Sequence, residues 1–146
     1  MMLKDILGAK GDKVFTIAPE ATLKDVIHQL VEHNIGSLVV CSQDDQGRQQ
    51  LLGIITERDI LHCFAAGKFN LLEISVSEAM TSKLITGSPD DLVEKVMGLM
   101  TQRRIRHLPV VVETRLAGMV SIGDVVKAQH DRLAIENRFM KDYIQS

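Results

Sequence analysis

Two four-residue stretches, Thr56-Glu57-Arg58-Asp59 and Ser121-Ile122-Gly123-Asp124, place a hydroxyl three residues ahead of a carboxylate. That spacing has two chemical uses. The hydroxyl can cap the first turn of a helix while the acid returns a bond to the backbone, although Asp is shorter than the usual Glu or Gln. A carboxylate can also grip the cis-diol of a ribose with both oxygens. Both uses are open, and they can coexist, since a capping hydroxyl can also face a cleft.

The densest positive cluster is Arg103-Arg104-Ile105-Arg106-His107. Arg103 and Arg104 suit a solvated helix end, where cations offset the negative pole of the helix dipole. Arg106 and His107 flank the start of a strand. An arginine there can hold phosphate oxygens bidentately, and His107 can act as a neutral donor or as a cation beside phosphate. A histidine packed in the interior is the other reading of His107.

Other chemistry is missing. There is no Gly-x-Gly-x-x-Gly and no Gly-x-x-x-x-Gly-Lys-Ser/Thr, and Gly8-Ala9-Lys10-Gly11 is too short for either. No Ser-His-Asp order, Cys-His pair or acidic metal cluster stands out, so no catalytic residue and no metal ligand is assigned. Cys41 and Cys63 are unclustered and read as reduced thiols. His28 and His33 lie five apart, off a common helical face. A net charge of -2 and the absence of Trp argue against nucleic acid and anionic membranes as partners. No apolar run approaches the roughly 18 residues of a membrane span. Residues 1–10 do not read as a signal peptide, and a cytoplasmic location is expected.

The elements that position these residues occur twice. Shifted by 70, Thr16 falls on Thr86, Pro19 on Pro89, Val26 on Val96, Ile35 on Ile105, Leu38 on Leu108 and Val40 on Val110. After a loop five residues longer in the first half, Gly53 falls on Gly118 and Asp59 on Asp124. Leu23, Val26, Ile27 and Leu30 form one helical stripe, repeated by Val93, Val96, Met97 and Met100. Thr22 or a neighbour is the expected cap of the first helix, and Ser88, before Pro89, of the second. Strands are expected at residues 14–17, 37–41 and 51–55, and again at 84–86, 107–112 and 116–120. Pro109 points to an edge or an irregularity. Helices should follow from near Glu57 and near Ile122, the second running on as an amphipathic tail through Leu133, Met140 and Ile144. That tail would pack on its own domain or on a second copy. Each half is thus strand-helix-strand-strand-helix, and at roughly 60 residues each has too little core to stand comfortably alone.

Val76-Ser77-Glu78-Ala79-Met80-Thr81, Arg106-His107-Leu108-Pro109-Val110-Val111, Gly118-Met119-Val120-Ser121-Ile122-Gly123-Asp124 and Gly53-Ile54-Ile55-Thr56-Glu57-Arg58-Asp59 resemble the cystathionine β-synthase (CBS) domain. The resemblance covers about residues 3–130 and is to the stand-alone bacterial type with two repeats. It implies an α/β (α+β) fold of two βαββα-type repeats about a pseudo-twofold axis. Repeat 1 would span residues 1–70, and repeat 2, with its helical extension, 71–146. It also implies clefts between the repeats that take AMP, ADP, ATP, NAD or S-adenosylmethionine as effectors rather than catalytic cofactors.

The ligand-binding set implied is Thr56, Arg58, Asp59, Ser121 and Asp124 for ribose and its surroundings, with Arg106 and His107 for phosphate and Gly36 and Ser37 at the matching positions. Phe15, Ile35, Leu84, Ile85 and Ile105 would form the wall around the base. In the crossed arrangement of the family, Thr56, Arg58 and Asp59 share a cleft with Arg106 and His107, which makes the two sites unequal. The function so implied is a regulatory, energy- or redox-sensing module, a homodimer acting on a protein partner. The alternative is a ligand-free interaction module.

Overall fold

The computed structural model describes residues 1–11 and 13–145. Among the described residues, six helices and five strands make a mixed α+β arrangement in two compact units. One unit comprises Lys13–Ile85 with Glu113–Leu116, and the other Met1–Asp12, Thr86–Val112 and Ala117–Ser146. The units cut across the sequence halves because each takes the short helix that precedes the other repeat.

In the first of these units, β1 (Thr16–Ile17) runs parallel to β2 (Ser37–Gln43), and β2 pairs antiparallel with β3 (Gln49–Thr56). Asp44 closes the β2–β3 loop by accepting the backbone N–H groups of Gln46 and Arg48. Gln50 of β3 pairs with Arg115. Helix α2 (Leu23–His33) buries Leu23, Val26 and Leu30 on that sheet. Such burial contributes roughly 1.5–3 kcal/mol for a large aliphatic side chain. Its cap is Thr22, as expected, with Asp25 completing the reciprocal box. Helix α3 (Glu57–Ala65) leaves the end of β3, and the one-turn α4 (Val76–Ala79) closes the unit through the buried Val76.

The second unit repeats this plan with differences. Helix α1 (Leu3–Lys10), which the 70-residue shift does not reveal, takes the place of α4. Leu3 and Val76 are both fully buried. The Leu3 N–H donates to the Asp91 carbonyl as the Val76 N–H donates to the Ala21 carbonyl. Helix α5 (Val93–Arg103) leads to β4 (His107–Val112), which turns at Glu113 into β5 (Arg115–Ser121).

Two expectations are corrected here. No strand forms at residues 84–86; a single parallel bridge, Gly87 with Val110, stands in its place. Leu3 of α1 packs so close to Gly87 that a Cβ there would lie 2.8 Å from it. Ser88 does not cap α5. Its hydroxyl accepts the Asp90 N–H within a tight turn, and the capping position falls on Leu92, which has no side-chain oxygen.

Pro109 sits inside β4, where it lacks a donor but uses its carbonyl to accept the Gly87 N–H at 2.9 Å. Helix α6 (Ile122–Gln145) is tied to α5 by an Arg132–Glu94 ion pair at 2.6 Å. Beyond that point Leu133, Phe139, Met140 and Ile144 are exposed.

Candidate functional site

The two hydroxyl-acid stretches fold alike, each at a junction where a strand turns directly into a helix. Thr56 is extended, and its Oγ1 accepts the Asp59 N–H at 3.3 Å. Asp59 Oδ2 accepts the Thr56 N–H at 2.9 Å and its hydroxyl at 3.2 Å. In the other unit Asp124 Oδ2 accepts the Ser121 N–H at 2.9 Å, and Ser121 Oγ accepts the Asp124 N–H at 3.1 Å. The capping role is therefore real at both positions, and a cap of this kind stabilises by about 1 kcal/mol. Each acid is half-buried and held in one orientation, and each carboxylate has roughly four acceptor positions.

The strand starts lie beside these turns. Ser37 stands directly opposite Thr56 in the β2–β3 ladder, and the Glu57 N–H donates to the Gly36 carbonyl at 3.2 Å. The Ile122 N–H donates likewise to the Arg106 carbonyl at 2.8 Å. Gly36, Ser37, Thr56 and Asp59 thus gather in one unit, and Arg106, His107, Ser121 and Asp124 in the other. Arg58 is exposed at the first turn of α3, and the Arg106 side chain is exposed as well.

Two residues that sequence reading did not single out complete these groups. Thr81 donates its hydroxyl to Asp59 Oδ1 at 3.0 Å. It reaches that place because Thr81 and Ile54 exchange backbone hydrogen bonds of 2.8 and 3.0 Å across a bridge. Gly53 permits the approach, since a Cβ on it would lie 2.7 Å from the Thr81 carbonyl. Lys10, the last residue of α1, donates to Asp124 Oδ2 at 2.6 Å and to the Met119 carbonyl at 3.1 Å. A shift of 73 relates the two short helices, laying Val76 on Leu3 and Met80 on Leu7, but it lays Thr81 on Gly8 and so does not reveal the contributors themselves.

The charges follow from these contacts. Burial pushes the Asp124 carboxyl up, but the hydrogen bonds from Lys10 and Ser121 outweigh it and hold the group below its ordinary value. Burial of the His107 ring, reinforced by Lys10 and Arg106 and opposed by Asp124, holds His107 below its ordinary value. His107 is therefore neutral at pH 7.

The residues expected around the base play other local parts. The Phe15 carbonyl accepts the Val39 N–H at 3.2 Å, and its ring stacks on His33 at 4.0 Å. Ile35 and Ile105 close the ends of α2 and α5, each donating to a helix carbonyl at 3.0 Å after a left-handed residue, Asn34 or Arg104. Leu84 and Ile85 are half-buried outside any strand. Cys41 and Cys63 are free thiols, and burial pushes Cys41 up to about 11. Among the described residues no three metal-binding side chains cluster, and no helix is long and apolar enough to cross a membrane.

Comparison with known proteins matches the CBS domain model to residues 3–66 and 76–131. The chain is 37% identical to the mitochondrial CBS domain-containing protein CBSX3 of Arabidopsis thaliana, over 98% of this chain and 71% of that protein. It is 34% identical to the CBS domain-containing protein YhcV of Bacillus subtilis, over 80% of this chain and 79% of that one. Among solved structures, a CBS-domain containing protein of Agrobacterium tumefaciens superposes with a TM-score of 0.77 at 40% identity, covering 88% of this chain and 99% of that one. The CBS domain pair of protein MJ0100, solved with 5′-methylthioadenosine and S-adenosyl-L-methionine, superposes with a TM-score of 0.73 at 28% identity, covering 90% and 98%.

Proposed function

Because this chain belongs to the CBS domain family, matched over both of its repeats, we propose that it is a regulatory module that binds an adenosine-containing ligand through Asp59, Asp124 or both. The observation that carries this reading is the doubled turn. Two half-buried carboxylates are each fixed by their own helix cap, yet neither has all its acceptor positions filled by the cap. The two adenosine compounds held by the MJ0100 pair support the ligand class. AMP, ADP, ATP and NAD are the candidates, bound as effectors.

The crossed pairing of Arg106 and His107 with Asp59 is kept as an expectation; within their own unit these residues fold beside Ser121 and Asp124 and draw in Lys10, which gives the Asp124 site cations of its own. By the residues of its own unit the Asp124 site then favours phosphate, while the Asp59 site, with Gly36, Ser37 and Thr81 around it, suits ligands with less charge. A ligand with different affinity for two arrangements of the protein shifts their populations, and a protein partner or a homodimer reads out the change. The module works in the cytoplasm and catalyses no reaction of its own.

A thermal-shift panel of AMP, ADP, ATP, NAD and S-adenosylmethionine on wild type, Asp59→Ala and Asp124→Ala tests the proposal. Ligand at a hundred times its dissociation constant stabilises by about 2.7 kcal/mol, which for a chain this size raises Tm by several degrees, about 2–4 °C per kcal/mol. One compound should shift wild type, and one of the two substitutions should abolish the shift. No shift with any compound at millimolar concentration overturns the adenosine reading and leaves the ligand-free interaction module.

A further inference from the structure

We propose that Lys10 makes the Asp124 site favour adenosine ligands that carry phosphate over those that carry none. This rests on Asp124 being a ribose acceptor, as proposed above.

The ammonium group of Lys10 occupies the oxygen of Asp124 that also receives the Ser121 N–H. It is delivered by a fixed element rather than by a loose chain end. Helix α1 is anchored through the fully buried Leu3 and by backbone bonds from Leu3 and Lys4 to Asp91 and Pro89. Leu7 lies against Gly118, where a Cβ would come within 2.7 Å of it. The second bond of Lys10, to the Met119 carbonyl, holds the ammonium at the end of β5. The matching acid, Asp59, is met by the neutral hydroxyl of Thr81. The two sites therefore present different chemistry to the same ligand.

A ribose diol can use Asp124 fully only when the ammonium lets go. Lys10 meets Asp124 and the Met119 carbonyl, and Lys10, Arg106 and Asp124 all act on the His107 ring. Of these groups only Asp124 is an anion. The Lys10 side chain is 37% exposed, so a released ammonium regains part of its hydration, and a ligand anion that takes the place of Asp124 offsets the remainder of what it loses. A ribose 5′-phosphate supplies that anion one sugar ring away from the diol, within the swing of a lysine stem. Adenosine and 5′-methylthioadenosine supply nothing, and S-adenosylmethionine places a positive sulfonium near the same spot. Displacement is thus balanced by a new ion pair for nucleotides and unbalanced for neutral nucleosides.

Isothermal titration calorimetry with AMP and adenosine tests this on the full chain carrying Asp59→Ala, which leaves only the Asp124 site. Lys10 is kept or replaced as Lys10→Met or Lys10→Arg, and folding is checked by circular dichroism. With Lys10 present, AMP should bind more tightly than adenosine. Lys10→Met should shrink that preference by up to about fivefold, the worth of one partly exposed ion pair in a binding constant, with adenosine gaining affinity. Lys10→Arg should retain the preference. Equal binding of AMP and adenosine with Lys10 in place overturns the proposal without recourse to any Lys10 variant. An unchanged ratio in folded Lys10→Met overturns it too, while the adenosine reading stands. Binding of neither ligand to any of the three proteins removes the ribose role of Asp124, and the role of Lys10 falls with it. Adenosine binding that appears only in Lys10→Met supports a lysine that disfavours ligands without phosphate.

Discussion

Alanine at Gly53 should be more damaging than alanine at Gly118, although the two glycines hold the same place in their repeats. A Cβ on Gly53 would lie 2.7 Å from the Thr81 carbonyl and 2.9 Å from Met80 Sδ. The thioether can rotate away. The carbonyl cannot, because it accepts the Ile54 N–H at 3.0 Å while the Thr81 N–H donates back at 2.8 Å. A Cβ on Gly118 would meet only the branched end of Leu7, 2.7 Å from one methyl and 3.1 Å from the other. Overpacking costs about 1–3 kcal/mol, and a weakened bridge about 1 more. Against this, removing a glycine where φ is unexceptional returns about 0.4–1 kcal/mol through the unfolded chain.

The sums put Gly53→Ala about 2–3 kcal/mol below wild type and Gly118→Ala within about 1 kcal/mol of it. Urea denaturation with an unchanged m-value reads the difference directly. The same displacement loosens the Thr81–Asp59 hydrogen bond, so ligand affinity at Asp59 should change in Gly53→Ala and hold in Gly118→Ala. Equal costs for the two substitutions would refute the claim that backbone, rather than side chain, limits the space at Gly53.

Two further outcomes follow from the same contacts. Leu92→Thr should stabilise the protein by about 1 kcal/mol, because it gives α5 the cap that Thr22 gives α2 and Leu92 is already 43% exposed; a lowered urea midpoint would contradict this. His107 has a folded pKa below its ordinary 6.5. Its contribution to stability is therefore full above about pH 6.5 and is lost as pH falls through that value towards the folded pKa. His107→Gln should flatten the stability profile between pH 7 and 5, measured by urea midpoints at each pH, and parallel profiles would show that burial, with Lys10 and Arg106, does not disfavour the charged ring.

Much of this protein was legible in local pattern. Leu23, Val26 and Leu30 face the core because a stripe at helical spacing can be buried only on one side. Thr56 and Ser121 mark helix starts because a hydroxyl three residues before an acid satisfies orphan backbone donors by itself. Arg103 and Arg104 end α5 as cations at a helix C-terminus should. Each of these depends on neighbours a few residues away, and the twofold occurrence of the pattern identified the family.

Tertiary structure decided what distant residues do to one another. Which acid would have a neutral partner and which a charged one was invisible in Asp59 and Asp124 themselves, since Thr81 lies 22 residues from its acid and Lys10 lies 114 from its own. The assignment of α1 to the unit of the second repeat rests on Leu3 being buried there and bonded to Asp91. The loss of a strand at residues 84–86 and of a cap at Ser88 has the same origin. Periodicity reports which face of an element is apolar, but the partner that covers the face, and the charge it carries, is chosen by the packing of the folded chain.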